Sequence, residues 1–211
     1  MTSQGHGDQA WFEAVYAAAA NDAGRISWAD MEVNPYVDEW LRAQARAGES
    51  AVVIGCGLGD DAEAVAAQGY RVTAFDVSAT AIAWCQQRFP TSPVTYVVAD
   101  LFALPEDWQF DLVVEVYTVQ ALPVEARQTV VRAIARLVKA GGTLVVVGRL
   151  AESAAQQVQR PWPLTRDELG WFEAAGLRLK TMETFADAGI SGLGLVRFRA
   201  VYERAVDGDR L

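Results

Sequence analysis

One histidine and two cysteines are all that this 211-residue chain offers among the side chains most used for proton shuttling, thiol chemistry and soft-metal binding. The histidine, His6, lies in a polar N-terminal stretch and reads as a solvated side chain rather than a catalytic base. Cys56 falls in a glycine-rich loop and Cys85 on an expected helix, so neither reads as half of a disulfide framework. No set of hard oxygen ligands for a metal can be assembled from the sequence. Basic residues are also scarce: 18 Lys and Arg stand against 27 Asp and Glu, a formal charge of −9. That balance disfavours a nucleic-acid partner, whose phosphates call for clustered cations, and leaves a small molecule as the expected acceptor. No apolar run approaches the ~20 residues of a membrane span. Residues 1–9 lack the basic start and apolar stretch of a secretory signal, so the expected location is the cytoplasm. There is no internal repeat, and low complexity is confined to the alanines at 17–20. The length suits one domain with a large core.

What the chain does have is a glycine-rich strand end, Val52-Val53-Ile54-Gly55-Cys56-Gly57-Leu58-Gly59. A β-branched apolar run predicts a buried parallel strand, and glycines directly after it let the backbone turn sharply against a nucleotide. The dinucleotide fingerprint G-x-G-x-x-G needs a further glycine at position 60, where this chain has Asp60. A carboxylate there repels a pyrophosphate and suits a ligand bearing an amino group or positive charge. S-adenosylmethionine (SAM) carries both; a nicotinamide-dependent oxidoreductase is the poorer alternative.

Strand-like and helix-like runs alternate, the pattern of a doubly wound α/β sheet. Strands are expected at 51–54, 71–75, 94–98, 111–116 and 143–148. A helix capped by Asp60 and Asp61 should stop before Gly69, and another should start after Ser78 and end by Pro90. A third is expected from near Pro123, with Val130, Ile134, Leu137 and Val138 inward, ending at Gly141-Gly142. Thr165 and Glu168 form a capping box for a helix with Leu169 and Phe172 inward, ended by Gly176. Strand-like runs at 177–185 and 195–203, separated by Gly189-Ile190-Ser191-Gly192, predict an antiparallel C-terminal hairpin. Near the N-terminus, Trp11, Phe12 and Tyr16 sit at helical spacing, and Asn34-Pro35 begins a second helix bearing Val37, Trp40 and Leu41.

Taken in order, Gly55-Cys56-Gly57-Leu58-Gly59, Asp76 at the second strand end, Ala99-Asp100-Leu101 after the third, and Phe110-Asp111-Leu112-Val113-Val114-Glu115 as the fourth resemble a class I SAM-dependent methyltransferase. The likeness covers roughly residues 36–203. It implies a Rossmann-like doubly wound α/β fold: a seven-stranded, mainly parallel sheet with an antiparallel C-terminal hairpin, helices on both faces and an N-terminal helical cap. Residues 1–48 would form that cap and 49–211 the core of one methyltransferase domain. The resemblance also implies SAM as cofactor and S-adenosylhomocysteine as product. Gly55, Cys56, Gly57 and Gly59 would pass beside the methionine half. Asp76, with Val77 next to it, would accept the ribose hydroxyls, Asp100 the adenine amino group, and Leu101 would lie against the ring. Glu115, an acid within an apolar strand, would lie near the methionine amino group or the acceptor.

A sulfonium methyl is already activated, so the protein must mainly hold an acceptor in line and exclude water. A thiolate or halide acceptor needs no base; a hydroxyl or cationic amine does, and Glu115 and Tyr117 are the candidates. Trp28-Ala29-Asp30 through Trp40-Leu41 is similar to the N-terminal segment of thiopurine and halide/thiol methyltransferases. There a tryptophan-bearing stretch covers SAM, which assigns Trp28 a cation–π contact with the sulfonium. After the fourth strand the chain reads Glu115 to Leu122 without the aspartate–arginine pair of those families. Tyr117, Gln120 and Trp162 are the expected acceptor-side residues, with residues 151–164 as a lid or wall on the carboxyl edge of the sheet. Sulfur is favoured slightly over oxygen or nitrogen. A SAM-binding regulatory protein without turnover is the remaining alternative.

Overall fold

The structure, a computed structural model, describes residues 4–44, 48–157, 160–186 and 196–206. It divides into two compact units, Met1–Pro105 and Glu106–Leu211.

The first unit is built on three parallel strands, β1 (Ser50–Ile54), β2 (Arg71–Asp76) and β3 (Thr95–Val98), with β2 between the other two. Ala51 to Ile54 are buried, as a strand covered on both faces requires. Helices α1 (Gln4–Ala19) and α2 (Pro35–Arg42) precede β1; α3 (Asp60–Ala67) and α4 (Ala79–Arg88) are the crossovers. Asn34 caps α2 by accepting from Tyr36 N, and Ser78 caps α4 by accepting from Ala81 N. The start of α3 differs from expectation. Its N-cap is Gly59 at φ 93°, which makes no side-chain cap, and Asp60 and Asp61 stand inside the first turn. There they complement the helix dipole rather than the free amides.

In the second unit β4 (Phe110–Val116) leads through the short helix α5 (Thr118–Ala121) to α6 (Arg127–Arg136) and β5 (Val138–Ala151). Next come β6 (Leu164–Thr165), α7 (Arg166–Ala174), β7 (Leu177–Ala186) and β8 (Val196–Arg204). β4 and β6 pair parallel to β5, β8 runs antiparallel to β5, and β7 antiparallel to β8. The expected antiparallel C-terminal strands are therefore present, while the turn at Gly189–Gly192 lies outside the described residues. The capping box of Thr165 and Glu168 is complete, and Leu169 and Phe172 are buried. The third helix ends earlier than its apolar spacing predicts. Arg136 is its last residue, and Val138 pairs with Phe110 as the first residue of β5. The Gly141-Gly142 pair falls in an irregular stretch of that ladder, between the pairs Phe110–Val138 and Leu112–Thr143. A Cβ at Gly142 would lie 3.0 Å from the carbonyl oxygens of Lys139 and Phe110. Among the described residues no helix is long and apolar enough to cross a membrane.

Candidate functional site

In the first unit the residues singled out from sequence gather where β1 and β2 end. Gly55, Gly57 and Gly59 have φ values of 57°, 54° and 93°, a left-handed backbone that a residue with a Cβ enters only at a cost. Gly59 is also fixed by space, since a Cβ there would stand 2.6 Å from Tyr96 Oη and 3.2 Å from Cys85 Sγ. Asp76 orders the loop from beneath. Its Oδ2 accepts from Gly57 N at 3.0 Å and its Oδ1 from Ser78 N at 2.9 Å. Burial pushes the Asp76 carboxyl up to about 6, against the backbone amides of Ser78, Gly57 and Val77, which favour its charge.

Above Gly57 sits Tyr16 of α1, whose hydroxyl would lie 3.3 Å from a Cβ at that glycine. Trp28 Nε1 donates to this hydroxyl at 3.0 Å, and the Trp28 ring meets Trp11, Phe12 and Tyr16 at centroid distances of 5.8, 6.3 and 6.0 Å. Trp28 thus belongs to an aromatic cluster beside the glycine loop and remains 42% exposed. The cluster is tied down by Glu13, which accepts from Ser78 Oγ at 2.7 Å and from Thr80 N and Oγ1. These hydrogen bonds, Thr80 first, hold the Glu13 carboxyl below its ordinary value.

Two acids depart from their expected tasks. Asp60, read as a partner for a cationic ligand, is bound by Arg88 through Nη1 at 2.8 Å and Nη2 at 2.7 Å. Its charge is therefore met within the protein. Asp61 accepts from Asn34 N at 2.7 Å, and burial pushes its carboxyl up to about 6. Asp100 caps the 3-10 turn Leu101–Ala103 through Phe102 N at 2.9 Å, and Leu101 is buried beside it.

In the second unit Glu115 is buried on β4 and accepts from Val119 N at 2.9 Å, which caps α5. Burial pushes its carboxyl up to about 7, opposed by the Val119 and Thr118 amides and by Arg127. Tyr117 takes a left-handed φ of 58°, costing roughly 1–2 kcal/mol for a residue with a Cβ. It is held by its N–H on Val147 O at 3.0 Å and by the Arg149 guanidinium 6.0 Å from its ring centre. Gln120, expected on the acceptor side, bonds within its own unit. Its Nε2 donates to Arg149 O and Trp162 O, both at 3.1 Å, and its Oε1 accepts from Arg149 N at 2.6 Å. A Cβ at Gly148 would run into the same amide. Trp162 N donates to Gln120 O at 2.9 Å, and Trp162 O also accepts from the buried Arg127 at 2.6 Å. These bonds make Trp162 a fixed point of its loop, with Arg160 over the indole at 5.1 Å. Among the described residues no group of three or more His, Cys, Asp or Glu side chains is arranged to hold a metal ion.

The Glu115 carboxyl gives a pH test. Its folded value of about 7 lies above the ordinary 4.5, so protonation favours the fold. The contribution is fully present below pH 4.5 and is lost as pH rises through 7. Asp61 and Asp76, both raised to about 6, act in the same direction at lower pH. Glu115→Gln keeps an acceptor for Val119 N and is expected to remove about 3 kcal/mol of the stability lost between pH 5 and pH 8. Urea midpoints at the two pH values measure this; equal losses in parent and variant would assign the slope elsewhere.

Sequence reasoning missed Glu13, Tyr16, Arg88, Arg127 and the approach of Cys85 to the glycine loop. The capping of α4 by Ser78 was legible; its second acceptor, 65 residues upstream, left no local signal.

Residues 52–146 match the family described as "Methyltransferase domain". A search of curated proteins returns no match to the sequence. Among solved structures, one described as "Conversion of a Disulfide Bond into a Thioacetal Group during Echinomycin Biosynthesis" is 20% identical, with a TM-score of 0.74 over 95% of this chain and 93% of its own. Magnesium protoporphyrin IX methyltransferase from Synechocystis PCC 6803, with bound S-adenosylhomocysteine, is 16% identical, with a TM-score of 0.73 over 94% and 100%. The 1,6-didemethyltoxoflavin-N1-methyltransferase of Burkholderia thailandensis, with 1,6-didemethyltoxoflavin and S-adenosylhomocysteine, is 19% identical, with a TM-score of 0.72 over 97% and 92%. The shared fold is the Rossmann-like α/β architecture, mostly parallel with antiparallel C-terminal strands.

Proposed function

We propose that this chain, whose residues 52–146 match a methyltransferase domain, is a SAM-dependent methyltransferase acting on a small molecule, with sulfur as the preferred accepting atom. The observation that carries the reading is the Asp76 carboxylate, held at the end of β2 by Gly57 N and Ser78 N. A carboxylate has about four acceptor positions, and the amides of Gly57, Ser78 and Val77 leave at least one open to the ribose hydroxyls. Gly55, Cys56, Gly57 and Gly59 line the methionine side, and Val77, Asp100 and Leu101 serve the nucleoside. Residues 1–48 act as a cap, supported by the contact of Tyr16 and Trp28 with the glycine loop. When bound, SAM supplies an activated methyl group. The protein's own work is to orient it and to keep water away, which the aromatic cluster of Trp11, Phe12, Tyr16 and Trp28 is suited to do.

Two observations support sulfur. A thiolate needs no general base, and one of the similar structures concerns the conversion of a disulfide into a thioacetal.

Thermal unfolding with SAM, S-adenosylhomocysteine and NAD in separate samples tests the cofactor. At one hundred times its Kd a ligand adds about 2.7 kcal/mol, a midpoint rise on the order of 5–10 °C. A rise with both sulfur nucleotides and none with NAD is expected; a rise with NAD alone would return the glycine loop to the dehydrogenase class. A thiol and amine screen coupled to S-adenosylhomocysteine release then tests the acceptor.

A further inference from the structure

The two cysteines lie 29 positions apart in sequence and meet beneath the glycine loop. Cys85, on α4, is fully buried, and its Sγ donates to Gly57 O at 3.2 Å. The same sulfur would stand 3.2 Å from a Cβ at Gly59, so it forms the floor of the loop. The Cys56 thiol is hydrogen-bonded to Cys85, and Cys56 is partly exposed. A chain of donors therefore runs from Cys56 to Cys85 to the Gly57 carbonyl, and Cys56 is the less buried residue of the two.

We propose that Cys56 and Cys85 form a peroxide-oxidisable thiol pair whose disulfide disables nucleotide binding at the glycine loop. This regulatory role rests on the reading of that loop as the SAM site. The Cys56 thiolate attacks one oxygen of hydrogen peroxide, giving a sulfenic acid and releasing hydroxide. The Cys85 sulfur then displaces the sulfenic oxygen, which leaves as water once the two thiol protons are counted. In sum two thiols and one peroxide give one disulfide and two waters. Cys56 meets the oxidant because it is the partly exposed member, and Cys85 resolves because it already touches it.

Closing the bond brings the sulfurs from hydrogen-bond separation to about 2 Å. It also removes the only thiol proton that Cys85 gives to Gly57 O. The loop has little slack with which to absorb this: three of its residues hold left-handed φ, and Gly57 N is fixed to Asp76. The hydrogen bond to Cys85, burial and the Asp76 carboxylate push the Cys56 thiol up, so the pair stays reduced until peroxide is abundant.

The test treats the full chain and Cys85→Ser with hydrogen peroxide. Intact mass and thiol titration are read first, then S-adenosylhomocysteine affinity by calorimetry before oxidation, after it and after dithiothreitol. The parent is expected to lose two hydrogens and both titratable thiols without dimerising. Its affinity should fall at least tenfold and recover on reduction, while Cys85→Ser forms no intramolecular disulfide and keeps no reversible loss of this kind. Sulfinic acid on Cys56, a disulfide-linked dimer, or a disulfide that leaves the affinity unchanged would each overturn the proposal. Failure of the reduced parent to bind S-adenosylhomocysteine would instead strike the SAM reading, and the mass measurement would still report whether the pair closes.

Discussion

Replacing Asp76 with alanine is expected to lower SAM affinity at least hundredfold. The carboxylate orders the site by accepting from Gly57 N at 3.0 Å and Ser78 N at 2.9 Å. Alanine leaves both amides without that acceptor, at about 1–3 kcal/mol for each one that stays buried. It also removes the acceptor for a ribose diol, whose charge-assisted bonds are worth about 1.5–3 kcal/mol each. Even the low end of the second contribution doubled exceeds the ~2.8 kcal/mol that corresponds to a hundredfold change. Asp76→Asn keeps an acceptor but gives up the charge, so it should fall between parent and alanine. Titration calorimetry of S-adenosylhomocysteine on all three proteins, with circular dichroism to verify the fold, makes the comparison. An alanine variant that binds within threefold of the parent would remove Asp76 from the nucleotide site.

The second large effect concerns stability. Arg127 is fully buried, and its guanidinium reaches Glu168 at 2.8 Å, Trp162 O at 2.6 Å and Pro163 O at 3.4 Å. Glu168 in turn accepts from Gln157 Nε2 at 2.7 Å and closes the capping box of α7. Arg127→Met strips a buried carboxylate of its counter-charge, a change that costs about 3–5 kcal/mol. For a chain of this size that corresponds to a fall in Tm of about 10 °C. Adding Glu168→Gln removes the orphaned charge while retaining a side chain able to complete the capping box, so the double variant should recover part of the loss. Urea unfolding of the four proteins of the cycle measures the coupling. A single variant within 1 kcal/mol of the parent would mean that the pair contributes little beyond packing.

What the sequence made legible was local. The glycine loop, the Ser78 and Asn34 caps, the Thr165–Glu168 box and the strand cores each depend on residues within a few positions of one another, and each is present. The errors came where a distant partner decides the role. Asp60 looked available to a ligand because Arg88, 28 residues on, could not be placed opposite it. The bonds of Gln120 to Arg149 and Trp162 likewise had no local signal. Val138 continued a helical apolar spacing, yet pairing with Phe110 draws it into β5. The α5 turn has four residues, too few for a helical period to register. The cysteines were read from their places, one in a loop and one on a helix 29 positions on, which say nothing about whether two thiols share a wall.

Glu13 has a consequence for the order in which the molecule is made. The N-terminal turn of α4 receives an acceptor from a residue synthesised 65 to 67 positions earlier, which accepts from Ser78 Oγ and from Thr80. Helix α1 leaves the ribosome with Trp11, Phe12 and Tyr16 along it, meets Trp28 first, and gains its contacts with α4 only once that helix has emerged. Closing so long a loop is entropically unfavourable and is repaid only once the aromatic contacts and the carboxylate engage together. Helix α1 is thus translated well before α4 and is pinned to it only afterwards, and until then its aromatic side chains are a sticky surface on the nascent chain.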